Sequence, residues 1–117
     1  MSDVQHATGE ALYIASRGVF ELHGLTRWAL KDGAWKGETL GRAEHLSALA
    51  WHPTLPVIYG TSRVGMDGSI HAWRIDGDKA ETIGDKASGG AEPCHLTVDP
   101  SGRLLVFTNY TTSTLGL

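Results

Sequence analysis

The chain has 117 residues, of which 41% are hydrophobic and 20% charged, a balance that is typical of one globular domain and excludes a disordered tail. The formal net charge is −3 and the charges are scattered, so we expect neither a nucleic-acid partner nor a membrane partner. One cysteine excludes an internal disulfide, and the absence of a secretory signal or a long apolar run predicts a cytoplasmic protein.

The first two segments of the chain differ in pattern. Residues 1–10 are polar and poorly patterned, so we expect an N-terminal tail that contains no strand. Residues 11–41 alternate apolar and polar positions between turn signals, and this predicts three strands, at 12–16, 25–31 and 35–40. These three strands correspond to the second, third and fourth strands of the segment that follows.

Residues 42–88 predict a complete unit of four strands, and residues 89–117 repeat its beginning. The four strands are expected at 48–52, 57–62, 69–75 and near 80–83. In the last segment, a turn at Asp99-Pro100-Ser101-Gly102 follows the first strand, and we expect the Asp99 carboxylate to cap backbone amides there. The chain is expected to end inside the third strand of this segment.

A shift of 47 residues superposes residues 47–62 on residues 94–109, so that Leu49 meets Leu96. A repeat of about 45 residues built from short strands has the size of a four-stranded propeller blade. A helical solenoid is excluded because its one candidate helix, 42–52, is stopped by a proline. The sequence therefore predicts an all-β fold, with about two and a half four-stranded antiparallel blades of an incomplete β-propeller.

Residues 89–110 read GGAEPCHLTVDPSGRLLVFTNY. This segment resembles the pattern G-x-x-P-C-H-L-x-V-D-P-x-G-R-x-L-x-V-A-N-Y of the seven-bladed lactonase family, which includes propeller-type 6-phosphogluconolactonases and carboxymuconate cyclases. The resemblance implies a seven-bladed ring of which this chain supplies the N-terminal portion. It also implies a hydrolase of the pentose phosphate pathway that opens a sugar lactone, such as 6-phosphogluconolactone, to an aldonic acid without a cofactor.

The predicted blades and this resemblance indicate four candidate site residues. His95 opens an innermost strand and is the predicted general base, because imidazole titrates near neutral pH. Asn109 and Tyr110, on the next loop, are expected to converge with His95 at the mouth of the central channel and to bind substrate. Arg63, on the equivalent loop of the preceding blade at 63–68, is expected to pair with a phosphate or carboxylate.

Structural roles stay open for all four residues: a histidine bonded to a backbone carbonyl, residues that form their own turn, or a solvated arginine. No metal site is predicted, because no HExxH or CxxC spacing occurs. A non-catalytic propeller that binds another protein is the alternative function, although Trp73 is followed by Arg74 instead of the aspartate of WD repeats. Because the predicted ring is incomplete, we expect self-association or a complementing chain, and negligible activity of the chain alone.

Overall fold

The computed structural model describes residues 2–8, 11–16, 24–110 and 114–116. Within these ranges the chain forms β-strands and no helix, and the strands make three antiparallel sheets. The strands of the first sheet, β1 to β4, are Ser2–Thr8, Ala11–Ser16, Gly24–Lys31 and Ala34–Gly41. Those of the second sheet, β5 to β8, are Ala48–Trp51, Val57–Val64, Asp67–Asp76 and Lys79–Ala87. Those of the third sheet, β9 to β11, are Pro93–Val98, Leu105–Asn109 and Thr114–Gly116.

The strands in each sheet follow one another in chain order, and the first strands of the three sheets lie side by side. β1 contacts β5, and β5 in turn contacts β9. The sheets therefore spread from a common inner edge, which is the arrangement of propeller blades around a channel. The predicted all-β propeller architecture is confirmed.

The prediction that no strand precedes Leu12 is wrong. β1 occupies part of the expected N-terminal tail and pairs with β2 from Ser2 opposite Ser16 to Thr8 opposite Ala11, with a register irregularity between Val4 and His6. A strand on the inner edge of a sheet is held by backbone hydrogen bonds to its neighbour, so it does not need the alternating apolar pattern that marks a core strand. The first sheet consequently has four strands.

The 47-residue repeat predicts the pairing of both inner hairpins, and the structure confirms this register. In the second sheet Leu49 lies opposite Gly60, and in the third sheet Leu96 lies opposite Phe107. Each of the four β5–β6 pairs maps onto a β9–β10 pair by the same shift. Residues 42–52, the one candidate helix, contain a turn and the strand β5 instead.

The turns at the far end of these hairpins are also related by the repeat. The Asp99 carboxylate accepts hydrogen bonds from the backbone amides of Arg103 and Leu104 at 3.0 and 2.8 Å, so its predicted capping role is confirmed. One repeat earlier, His52 Nδ1 accepts from the amides of Thr54 and Leu55 at 3.1 and 3.0 Å. An imidazole and a carboxylate, at equivalent positions of the repeat, thus cap backbone amides of the corresponding turns in successive blades.

The described hydrophobic core lies between the first and second sheets. Its buried members are Ala11, Tyr13, Ala15, Leu25, Ala43, Leu46, Leu49, Ile58 and Trp73. Trp73 is the largest fully buried side chain, and its indole covers Gly41 so closely that a Cβ added there would lie 2.5 Å from Trp73 Nε1. The absence of a side chain at Gly41 is therefore what lets β4 approach the second sheet.

The second and third sheets meet through a seam that is closed at one end and open at the other. At the end where β5 and β9 begin, Ser47 Oγ donates to the Pro93 carbonyl at 3.1 Å. Further along, a cavity of about 360 Å³ separates the sheets and is lined by residues that include Tyr59, Ala72 and Phe107. The closed end of this seam holds three of the four candidate site residues.

Candidate functional site

The candidate site is built on the loops that lead into the inner strands. Residues 42–47 connect β4 to β5, and residues 88–92 connect β8 to β9. Each connection contains a left-handed residue, His45 with φ 50° and Glu92 with φ 52°, at positions that the 47-residue shift superposes. Each also accepts a backbone hydrogen bond from near the end of the second strand of the hairpin that follows it. Arg63 N, in β6, donates to Glu44 O at 3.2 Å, and Tyr110 N, directly after β10, donates to Glu92 O at 2.9 Å. The repeat therefore holds the two loops in similar positions.

The predicted general base, His95, lies near the beginning of the inner strand β9, opposite Thr108. Its side chain is exposed and makes no hydrogen bond or ion pair with any described residue. The 47-residue shift superposes it on Ala48, which is buried beneath the third sheet. His95 thus lies on the outward face of the third sheet, the face that is turned away from the second sheet.

Asn109 lies on the opposite face of the same sheet, at its boundary with the second sheet. Its side chain is 2% exposed, and its Nδ2 donates to the Ser88 carbonyl at 3.2 Å. Asn109 is opposite Pro93, and the register shift between Thr108 and Asn109 leaves Cys94 as the extra residue of a bulge. The expected convergence of His95 and Asn109 is not found. His95 pairs with Thr108, and the side chain of Asn109, the next residue of β10, points to the opposite face of the sheet.

Arg63 was expected on a loop and instead lies within β6. The β6–β7 hairpin is tighter than predicted, because β6 continues to Val64 and only Gly65 and Met66 remain for the turn. Arg63 Nη1 donates to the Gly65 carbonyl at 2.8 Å, whereas the buried Nε has no hydrogen-bond partner among the described residues. The guanidinium therefore retains hydrogen-bonding capacity beside the seam.

Ser88 joins the Arg63 and Asn109 sides of the seam, and sequence reasoning did not identify it. Its backbone amide donates to the carbonyl of Gly68, the strand partner of Arg63, at 2.9 Å. Its own carbonyl accepts from Asn109. A Cβ at Gly68 would lie 2.3 Å from Ser88 Oγ and 2.5 Å from Pro93 Cδ, which shows how closely the two sheets approach here.

Tyr110 is exposed at the end of β10. Its side chain is 72% exposed, while its backbone amide is held by the Glu92 carbonyl. Under the 47-residue shift it corresponds to Arg63, so successive blades place an arginine and then a tyrosine at the same position of the repeat. The structure thus brings Arg63, Asn109 and Tyr110 to one end of the sheets, with His95 on the outward face beside them.

A hydrogen-bonded serine–histidine pair occurs in the second sheet, at positions that sequence reasoning did not link. Ser62 Oγ and His71 Nε2 lie 2.6 Å apart, and the His71 ring stacks on Trp73 with centroids 5.3 Å apart. Burial lowers the pKa of His71, an effect that the Asp85 carboxylate partly opposes. Ser62 is buried, so this pair links β6 to β7 and does not present a nucleophile to solvent. The sequence signal that could have linked Ser62 to His71 is their separation of nine residues on the two sides of a two-residue turn.

The parts of the chain that the structure describes contain neither a metal-binding cluster nor a membrane-spanning helix. No three His, Cys, Asp or Glu side chains gather there to hold a metal ion. The same residues include no helix of the length and apolarity needed to cross a membrane.

Comparison with known proteins gives two matches. A family model described as "Lactonase, 7-bladed beta-propeller" matches residues 11–117. The crystal structure of a protein from Lactobacillus plantarum aligns with this chain with a TM-score of 0.75 at 21% sequence identity. At this identity, the alignment shows a shared fold only. The alignment covers 91% of this chain but 32% of that protein, so the chain spans about a third of its length. No curated protein matches the chain.

Proposed function

The chain belongs to the seven-bladed β-propeller lactonase family, and from that premise we propose that it forms part of a hydrolase that opens a sugar lactone to an aldonic acid. The observation that carries this proposal is the family match over residues 11–117. The proposed substrate is 6-phosphogluconolactone, which would place the reaction in the pentose phosphate pathway of the cytoplasm. We propose that the reaction uses water and the protein's own side chains, without a resident cofactor.

His95 is the proposed general base. Its exposed imidazole, with no described partner, is able to accept a proton from a water molecule that attacks the lactone carbonyl. The water oxygen forms the new bond to the carbonyl carbon, and the ring C–O bond breaks. The proton then passes from the imidazolium to the departing ring oxygen, which leaves as a hydroxyl group of the open-chain acid.

Arg63 and Tyr110 are the proposed substrate-binding groups. The guanidinium of Arg63, which spends one donor on the Gly65 carbonyl, supplies further donors and a positive charge for a phosphate group or for the developing oxyanion. The exposed phenol of Tyr110 is available to a sugar hydroxyl. Asn109, also predicted to bind substrate, is proposed to act by holding Ser88 and its loop in place, since its amide is buried and bonded there.

A segment exchange tests the proposal. Residues 11–117 would replace the matching segment of an active full-length lactonase of the family, and hydrolysis of freshly prepared 6-phosphogluconolactone would be followed by acid release. We expect turnover by the chimera, and a loss of about 10²-fold or more in the His95→Ala version, the size of a general-base contribution. Thr97→Ala, which alters the same exposed face two residues further along β9, is the matched control and should retain turnover.

Two results would count against the proposal. Full turnover by the His95→Ala chimera would remove His95 from the mechanism. A folded chimera that neither binds nor hydrolyses lactones would favour the alternative function, a non-catalytic propeller that binds another protein.

A further inference from the structure

Residues 88–92, which connect β8 to β9, are hydrogen-bonded to the β6–β7 hairpin close to its turn. Both backbone groups of Gly68 take part: its carbonyl accepts from the Ser88 amide at 2.9 Å, and its amide donates to the Gly90 carbonyl at 3.2 Å. This approach depends on the glycine, because a Cβ at Gly68 would overlap Ser88 Oγ and Pro93 Cδ. The hairpin is therefore fixed to the 88–92 connection at Gly68.

The same hairpin carries the guanidinium of Arg63. Arg63 lies opposite Gly68 in the strand pairing, and its Nη1 donates to the Gly65 carbonyl in the turn of the hairpin at 2.8 Å. On the other side, the Arg63 amide donates to the Glu44 carbonyl at 3.2 Å. The guanidinium is thus tied to its own hairpin, so a displacement of the hairpin at Gly68 displaces the guanidinium as well.

The third sheet holds the 88–92 connection from the opposite side. Asn109 Nδ2 donates to the Ser88 carbonyl at 3.2 Å, and the Tyr110 amide donates to the Glu92 carbonyl at 2.9 Å. Asn109 and Ser88 are only 2% and 5% exposed, so removal of the Asn109 amide would leave the Ser88 carbonyl buried without this donor. The connection is therefore bound at once to the hairpin that carries Arg63 and to the strand end that carries Tyr110.

We propose that residues 88–92 set the spacing between Arg63 and Tyr110. Gly68 and Asn109 are the positioning residues of this connection, and they let the site select lactones that carry an anionic group. This inference rests on the proposed lactonase function. A guanidinium binds a phosphate or carboxylate through charged hydrogen bonds, which weaken steeply when donor and acceptor are misaligned. A neutral lactone lacks this contact, so a displaced hairpin should penalise the anionic substrate alone.

The lactonase chimera tests the selectivity with 6-phosphogluconolactone and with gluconolactone, which lacks the phosphate. Asn109→Ser introduces the shorter side chain found one repeat earlier at Ser62, and Gly68→Ala disturbs the close approach. Each should lower kcat/KM for the phosphorylated lactone about 10-fold or more, mainly through KM, and for gluconolactone less than about 2-fold. Gly84→Ala, where an added Cβ would meet no atom within 4 Å, is the control and should change neither value.

A double-substitution cycle shows whether the positioning residues act through the arginine. In the Arg63→Ala background, Asn109→Ser should cause less than about a 2-fold further loss of kcat/KM for the phosphorylated lactone. Additive losses, or equal losses for the two lactones, would overturn the positioning role while leaving the lactonase function standing. A chimera that hydrolyses neither lactone before any substitution would contradict the proposed function itself.

Hydrogen exchange of the full chain tests the connection without any lactone. Asn109→Ser should raise the exchange rates of the Ser88 and Gly68 amides about 10-fold or more, because both are bonded within the connection that Asn109 holds. The Ser47 amide, which donates to the Thr61 carbonyl at 2.9 Å, is the control and should exchange at an unchanged rate. Unchanged exchange at Gly68 would overturn the inference, since the third sheet would then not hold the hairpin of the second.

Discussion

The contact between Gly41 and Trp73 gives a sharp test of how the first two sheets pack. A Cβ on Gly41 would lie 2.5 Å from Trp73 Nε1 and 2.6 Å from Trp73 Cε2, and the indole is fully buried, so relieving this overlap requires its neighbours in the core to shift. Gly41→Ala should therefore lower the free energy of unfolding by about 1–3 kcal/mol, the usual cost of overpacking a core. Trp73→Ala, which removes the indole, should lower it by about 3–5 kcal/mol.

The combination of the two substitutions should not be additive. Once the indole is gone, the methyl group of Gly41→Ala has room, and alanine restricts the unfolded chain more than glycine does, which is worth up to about 1 kcal/mol. In the Trp73→Ala protein, Gly41→Ala should thus be neutral or slightly stabilising. The expected coupling free energy is about 2 kcal/mol, within the range found for residues in contact.

Urea denaturation, followed by far-UV circular dichroism, measures the free energy of unfolding of the unaltered chain, the two single variants and the double variant, all at one fixed protein concentration. Gly84→Ala is the control, because a Cβ at Gly84 on β8 would meet no atom within 4 Å and should show no coupling to Trp73. A coupling free energy below about 0.5 kcal/mol between Gly41 and Trp73 would mean that the two residues do not touch, and would refute this packing of the sheets.

Three further outcomes are expected. Since burial lowers the pKa of His71 in the folded protein below its ordinary value of 6.5, the unfolded chain binds more protons than the folded protein as the pH drops below 6.5. Tm should therefore fall over this pH range, and His71→Gln should make Tm depend less on pH there. Because hydrogen bonds from Ser101 and the Leu104 amide lower the pKa of Asp99, that carboxylate should stabilise the fold above its ordinary pKa of 3.8 and lose the effect as the pH falls through the lower folded value. Asp99→Asn should therefore reduce the loss of Tm below pH 3.8, and an unchanged acid profile would contradict the capping role. Acid release by the lactonase chimera should fall about 10²-fold or more with His95→Ala and should be unaffected by Thr97→Ala.

The repeat made the hairpins predictable from the sequence. Leu49 and Leu96 occupy equivalent places, and the turn that the Asp99 carboxylate caps was recognised from its residues. These features are local: a strand of alternating pattern, a turn residue and a strand of matching length determine a hairpin register without reference to the rest of the chain. The family resemblance of residues 89–110 likewise depends on a short continuous segment.

The position of β1 and the grouping of the candidate site residues required the tertiary structure. A polar strand such as β1 is recognised only when its backbone pairs with β2, because its side-chain pattern carries no signal. The face on which His95 or Asn109 lies depends on the bulge at Cys94 and on which sheet packs against which. Arg63 reaches the seam because Gly68 lets the second and third sheets approach. Such features depend on contacts between residues far apart in the chain, so they are decided when the sheets pack and not by the local pattern of any one strand.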